Sequence, residues 1–477
     1  MTLKEIVRRA ASRCAIAVPC LCLGAIACSD AESPNGALSS TGADPPTKAP
    51  NIILISMDTL RADHLACYGH EVPNSPVLDG FLESADRWTE AYATAPWTLP
   101  SHASMFTGKY PFAHGAHTFR IEQPGRNVSP LDEENVTLAE VLRDLGYDTG
   151  AFVANKHFLA ERFLVNQGFQ TFHVFKGKDM ARADKVHSRA FPWLMEERDQ
   201  PFFLFLNYMD THRPYHSTER PGLFDFPVGV DSGEILGRLM EPILTRDGGD
   251  HSVDLTQLRA QYDTSVANLD ALLGELFALL ESRGVFDNTL ILITSDHGEY
   301  FGEHDLLEHS KDVYQEALHV PLLVKAPHQA EGAVIDSPIS VASIPGLVFD
   351  HLPPAMADQA FQAMPRLDLS EGIIAENYYS RSRDLFDRPW GDRLHRVRRA
   401  LFADGWKYIH SSDGIHELYH LARDPKEQRD LLEAEPTRAA AMRATLDGLL
   451  TEIRDADLGD TPEYSEEELN ALEQLGY

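Results

Sequence analysis

The sequence predicts an α/β fold: a large, mainly parallel sheet flanked by helices, with a smaller α+β subdomain at the C-terminus. Three observations carry this. Residues 51–58, 149–153, 202–209 and 289–295 are short apolar runs, as strands buried on both faces require. Helical periodicity lies between them, most clearly at Leu258, Tyr262, Val266, Leu269, Leu273, Leu276 and Leu280. From about Leu367 onward, short strand-like pieces alternate with turns. No internal repeat is present.

The chain has 477 residues and a formal net charge of −31. Its length admits a large core and two domains. The acidic balance excludes a nucleic-acid-binding surface, which needs a basic footprint.

Residues 1–27 read as a secretory signal: Lys4, Arg8, Arg9 and Arg13 precede an apolar run too short to span a membrane comfortably. Ala25-Ile26-Ala27 fits a cleavage site, and Cys28 stands where a bacterial lipobox has its lipidated cysteine, although Ala25 replaces the usual Leu. Ordinary secretion, lipidation at Cys28 and a retained anchor all stay open. The expected location is the bacterial cell envelope, as a lipoprotein held to the membrane through Cys28, with a periplasmic or secreted protein as the alternative. Residues 28–50, rich in Ser, Pro, Ala and Gly, read as a flexible tether. Four of the five cysteines lie in this leader, so Cys67 has no disulfide partner in the body.

The first strand, 51–58, ends in Asp58. In open α/β sheets, ligands gather at the carboxyl ends of strands. Pro96-Trp97-Thr98-Leu99-Pro100 reads as a turn presenting a hydroxyl. Thr137 and Glu140 form a capping box for the helix that ends near Gly146, and the strand 149–153 follows. The strand 202–209 leads into Asp210 and His212. Residues 220–251 lack strong periodicity and read as a surface insertion shaping substrate access. The long helix ends near Gly284, and the strand 289–295 delivers Asp296-His297. A last helix is expected over 436–455. The domains are therefore 51–366, catalytic, and 367–477, the C-terminal subdomain.

Asp58, Asp296 and His297 supply two carboxylates and an imidazole, a donor set for one divalent cation. Thr98 can serve as a fourth ligand and as the nucleophile, because a cation lowers the pKa of a bound hydroxyl. His102, Lys109, His212 and Lys311 are candidates to clamp an anionic ester or to protonate its leaving oxygen.

Taken together, these stretches resemble the sulfatase family of the alkaline phosphatase superfamily. The resemblance rests on residues 51–61, 96–111, 212–215, 295–304, 309–321 and 417–425, in the family's order, and runs from Asn51 to Tyr477. It implies a mixed, mainly parallel sheet, sulfuric or phosphoric ester hydrolysis, and one divalent metal ion (Mn²⁺, Ca²⁺ or Mg²⁺). It implies Thr98, His102, His212 and Lys311 as catalytic residues, and Asp58, Thr98, Asp296 and His297 as metal ligands. Small-molecule or polymeric esters are the expected substrates.

The departures define a variant. Thr98 stands where typical members carry the Cys or Ser that becomes formylglycine, His102 where they carry Arg, Thr59 where they carry a second Asp, and His297 where they often carry Asn. Asp-His in place of Asp-Asn is more like the relatives that transfer phospho groups or hydrolyse phosphonates. A phosphoester or phosphonate hydrolase, or a phospho-group transferase acting on envelope substrates, is thus the alternative, and an inactive binding protein is a further one. The family's Lys-x-His is represented by Lys156 and His157 only with altered spacing. A two-metal site would recruit Asp210, His216 and His309.

Overall fold

The computed structural model describes residues 48–121, 127–177, 180–215, 230–380, 382–386 and 388–451. The expected signal 1–27, nearly all of the expected tether 28–50 including Cys28, His216 and the terminus 452–477 lie outside them. No described helix is long and apolar enough to cross a membrane. Cys67 is a free thiol, as expected.

Among the described residues, fifteen strands run in chain order. They are β1 (Asn51–Met57), β2 (Asp86–Tyr92), β3 (Asp148–Val153), β4 (Thr171–Val174), β5 (Phe202–Tyr208), β6 (Thr289–Thr294), β7 (Tyr300–Phe301), β8 (Leu307–Glu308), β9 (His319–Lys325), β10 (Val334–Ile335), β11 (Ile339–Ser340), β12 (Ile373–Asn377), β13 (Arg398–Ala403), β14 (Trp406–Ser411) and β15 (Glu417–His420). The large sheet has nine strands in the order β10-β2-β9-β6-β1-β5-β3-β4, with β11 also on β2. The strands β6, β1, β5, β3 and β4 are mutually parallel, whereas β9 is antiparallel to both β6 and β2.

The four apolar runs form the centre of this sheet. Their side chains alternate between its two faces, as strand geometry demands. Ile52, Leu54, Phe203, Phe205, Leu290 and Leu292 enter one core cluster. Ile53, Ile55, Leu204, Leu206, Ile291 and Ile293 enter the other, against the 31-residue helix Ser252–Ser282. Removing one such ring, as in Phe203→Ala, costs about 3–5 kcal/mol.

Two regions differ from the sequence reading. Thr98–Thr107 is a helix rather than a turn, and all of it is buried. Pro100 is tolerated because it falls in the first turn, where its missing N–H has no carbonyl to meet. The expected surface insertion contains the helix Ser232–Thr245, capped by Asp231, with Ile235, Leu236, Leu239 and Leu244 buried. Gly233, Gly237 and Pro242 obscure its period in the sequence.

Beyond the large sheet, β12-β13-β14-β15 form an antiparallel sheet. The helix Pro436–Thr451 packs on it through Ala439, Met442 and Leu446. Tyr92 of β2 stacks on Phe402 of β13, 4.1 Å between centroids. The Glu376 amide of β12 donates to the Thr94 carbonyl at 2.8 Å.

Candidate active site

Residues far apart in sequence meet because β1 pairs directly with β6, with Ser56 opposite Thr294. Asp58 and Asp296-His297 therefore leave adjacent parallel strands at the same edge. The helix Thr98–Thr107 starts beside them and is tied to both strands. Ser101 Oγ donates to the Asp296 carbonyl at 2.6 Å. His102 Nδ1 donates to the Thr98 carbonyl at 2.9 Å, and its Nε2 accepts from Ser56 Oγ of β1 at 2.8 Å.

Each acid has one oxygen held and one aimed at a common point. Asp296 Oδ1 accepts from the amides of His297 at 3.0 Å and Thr59 at 3.3 Å. Asp58 Oδ2 accepts from Asn155 Nδ2 at 3.0 Å and Thr98 Oγ1 at 3.5 Å. His297 Nδ1 donates to the Gly298 carbonyl at 2.9 Å, which leaves the lone pair on Nε2. Asp58 Oδ1, Asp296 Oδ2 and His297 Nε2 are buried and have no hydrogen-bond partner. His297 Nε2 lies 3.4 Å from Asp296 Oδ2 and 3.8 Å from Asp58 Oδ1. Ligand atoms of the three residues fall within 4.8 Å of one another.

The electrostatics agree. Burial, then the neighbouring Asp296, pushes the Asp58 carboxyl well above its ordinary range. Burial pushes Asp296 up to about 7 and holds His297 below its usual value. Two fully buried carboxylates with no Lys or Arg paired to them among the described residues are expensive unless a cation joins them. This donor set fits a divalent cation.

The other predicted residues fall in different places. His102 is fully buried, and burial lowers it to about 3, so it is neutral and engaged at both nitrogens. That geometry suits fixing the start of the helix better than clamping an anion. His212 is also held neutral by burial, with Nδ1 donating to the Arg213 carbonyl at 2.7 Å. Its ring lies 5.1 Å from that of His309, which lies 4.7 Å from that of His297. Lys311 is buried and faces two acids: Nζ is 3.4 Å from Glu308 Oε2 and 3.9 Å from Asp384 Oδ2. Lys109 is exposed and donates to Asn135 Oδ1 at 2.8 Å, outside the cluster. Lys156 donates to the Gly177 carbonyl, and His157 is buried and lowered to about 3. Asp210 accepts from the Ala183 amide at the start of the helix Ala183–Met195 and is not among the grouped ligands.

Sequence reasoning missed two residues, Asn155 and Glu299, and gave a third, His309, a different role. Asn155 follows β3; its Oδ1 accepts from the amides of His157 and Phe158, while Nδ2 reaches Asp58 and, at 3.4 Å, Thr98 Oγ1. The strand-end rule that finds Asp58 finds Asn155 as well. Glu299 accepts from Tyr215 Oη at 3.1 Å and faces His309 Nδ1 at 3.0 Å. His309 entered only as a possible ligand of a second metal, and the structure makes it a neighbour of His297.

Comparison with known proteins agrees with this architecture. The sulfatase family model matches residues 50–360. Arylsulfatase K of Bos taurus is 25% identical over 464 residues, covering 84% of this chain and 82% of its own. The crystal structure of a phosphonate monoester hydrolase of Agrobacterium radiobacter superposes with a TM-score of 0.60 at 20% identity, covering 84% and 95% of the two chains. A protein solved in complex with its substrate D-glucosamine-2-N,6-O-disulfate gives 0.64 at 18% identity, covering 86% and 99%.

Proposed function

The chain belongs to the sulfatase family of ester hydrolases, and from that premise we propose that it is a divalent-metal-dependent hydrolase of sulfate or phosphate esters with Thr98 as nucleophile. The leader sequence supports export to the bacterial envelope with an anchor at Cys28, and the catalytic unit spans 51–366 ahead of the C-terminal unit 367–477. The observation that carries the reading is the convergence of Asp58 Oδ1, Asp296 Oδ2 and His297 Nε2 beside the Thr98 hydroxyl.

Asp58, Asp296 and His297, with Thr98 beside them, would hold the cation, which would supply Lewis acidity to lower the pKa of the Thr98 hydroxyl and offset the charge of the ester. The residues do the rest. Thr98 is the first residue of a helix whose N-cap, Trp97, makes no side-chain cap, so first-turn amides and the helix dipole face an incoming anion. The Thr98 hydroxyl proton points to Asp58 Oδ2, and Asn155 fixes both groups. Thr98 Oγ, its proton passing to Asp58 Oδ2, attacks sulfur or phosphorus, the bond to the leaving oxygen breaks, and that oxygen takes a proton from His309, oriented by Glu299. Water then attacks the Thr98 ester, giving up its proton to the neutral His212; the bond from Thr98 Oγ to sulfur or phosphorus breaks, Thr98 Oγ recovers its proton from Asp58 Oδ2, the anion leaves, and the proton on His212 passes to the neighbouring His309, which restores the resting state.

A second reading, phosphonate or phosphate-diester hydrolysis or phospho-group transfer, is favoured by Thr98 itself. A threonine ester cannot collapse as a formylglycine hemiacetal does, so only water or another acceptor releases it. Aryl sulfate, phosphate mono- and diester and phosphonate substrates, each assayed with Mn²⁺, Ca²⁺ or Mg²⁺, separate the two. Thr98→Ala should abolish turnover on whichever substrate the native chain accepts; native-like rates in that variant would refute the mechanism.

A further inference from the structure

A second cluster of ligating side chains lies on the segment that follows β1. His64 Nδ1 is 2.6 Å from Asp263 Oδ1, and His70 Nε2 is 3.3 Å from Asp263 Oδ2. Ligand atoms of the three residues lie within 4.8 Å of one another. His64 and Asp263 are buried, while the His70 side chain keeps 18% of its surface in solvent. His70 Nε2 is itself a buried atom without a hydrogen bond of acceptable geometry.

The surroundings hold these residues for ligation. The His64 ring meets Tyr262 edge-on at 5.0 Å, and its carbonyl accepts from Asn74 Nδ2 at 2.9 Å. Asp263 stands on the helix Ser252–Ser282 next to Tyr262, whose hydroxyl donates to the Thr59 carbonyl at 2.8 Å and accepts from the Arg61 amide at 2.9 Å. Cys67, between the two histidines, faces a different cavity with Asp79 and Arg87. Two imidazoles and one carboxylate form a borderline-soft set of three donors, one short of the four that tetrahedral Zn²⁺ takes. Tetrahedral Zn²⁺ spaces its ligand atoms about 3.3 Å apart. The His70–Asp263 separation already matches, and the His64–Asp263 hydrogen bond has to open as its proton is displaced.

We infer that His64, His70 and Asp263 bind a divalent transition-metal ion, Zn²⁺ or Mn²⁺, separate from the catalytic cluster. The ion fastens the segment after Asp58 to the helix Ser252–Ser282 and so stiffens the approach to the active site.

The test uses the full chain, free of affinity tags, stripped by chelator and dialysed against Zn²⁺. Asp296→Asn disables the catalytic cluster and isolates the second site. That variant should retain a Zn²⁺ by elemental analysis, and Zn²⁺ should raise its melting temperature by about 2–4 °C. Adding His70→Ala should remove both effects. Zn²⁺ content equal in the single and double variants, or none in Asp296→Asn, overturns the inference and leaves Asp263 as a plain ion-pair partner of two histidines. Should the double variant fold poorly, Co²⁺ added to Asp296→Asn decides alone: visible absorption of low-symmetry cobalt is expected, and a spectrum of hydrated cobalt refutes the site.

Discussion

Two pairs of buried acids sit in this molecule, and the chain treats them in opposite ways. Glu427 Oε1 is 2.6 Å from Lys407 Nζ, with both side chains fully buried, and its Oε2 accepts from the Gln315 amide at 2.7 Å. Its neighbour Glu316 lies 3.5 Å from His304 Nε2. Asp58 and Asp296 are as deeply buried, yet among the described residues their only ion-pair partners are histidines. One pair has its own cation and ties the C-terminal sheet to the segment Gln315–Leu318. The other leaves oxygens aimed at one point, the arrangement expected where a cation must be recruited.

The largest effect expected from this contrast is on turnover. Thr98→Ala should reduce kcat by about 10³-fold or more, with the fold and metal content kept. Steady-state kinetics beside elemental analysis checks it, and equal loss of metal and activity would recast Thr98 as a ligand only.

Next comes a pair of stability changes of opposite sign. Lys407→Met strands Glu427 and should destabilise by about 3–5 kcal/mol without altering metal content. Asp296→Asn removes an uncompensated charge, so in chelator-treated protein it should be neutral or stabilising while abolishing cation binding at the Asp58–Asp296–His297 cluster. Chemical denaturation of the two variants with and without metal reads both.

The pH dependence follows from Asp296. Its carboxyl is raised from 3.8 to about 7 by burial, so the folded state holds a proton that the unfolded chain has released. Its contribution to stability is present below the unfolded pKa and is lost as pH rises through about 7. Metal-free protein should therefore lose stability between about pH 4 and pH 7, and saturating divalent cation should remove that loss. A metal-free profile unchanged by Asp296→Asn would show that the carboxylate is not uncompensated.

The smallest effect expected is at Asn155. Asn155→Ala removes the hydrogen bonds to Asp58 and Thr98 and should reduce kcat by about 10–100-fold with little change in KM. A change confined to KM would place Asn155 on the substrate instead.

Much of the fold was legible because β1, β3, β5 and β6 are buried on both faces and read as unbroken apolar runs. Asp58, Asp296 and His297 were legible for a related reason: polar residues that end such strands have few structural uses. The helix Ser232–Thr245 was hidden by two glycines and a proline, because tertiary packing on the long helix, not intrinsic propensity, holds it. His102 looked like a cation because it replaces an arginine in the family pattern. Its neutrality depends on burial and on Ser56, which no local pattern shows. Lys109 and Lys311 looked equivalent in sequence, yet one is exposed beside Asn135 and the other is enclosed by Glu308 and Asp384. Asn155 carries no local signal beyond its place at a strand end, because its role depends on Asp58 and Thr98, which the fold alone brings beside it.

The central claim is that Thr98 carries the ester intermediate beside a recruited cation. Acid-quenched enzyme, taken during turnover of an aryl sulfate or a phosphate ester and examined by intact and peptide mass spectrometry, tests it most directly. The account predicts one sulfuryl or phosphoryl adduct on the peptide containing Thr98, absent from Thr98→Ala and from Asp296→Asn. Turnover at the native rate in Thr98→Ala, or an adduct on another residue, would contradict it.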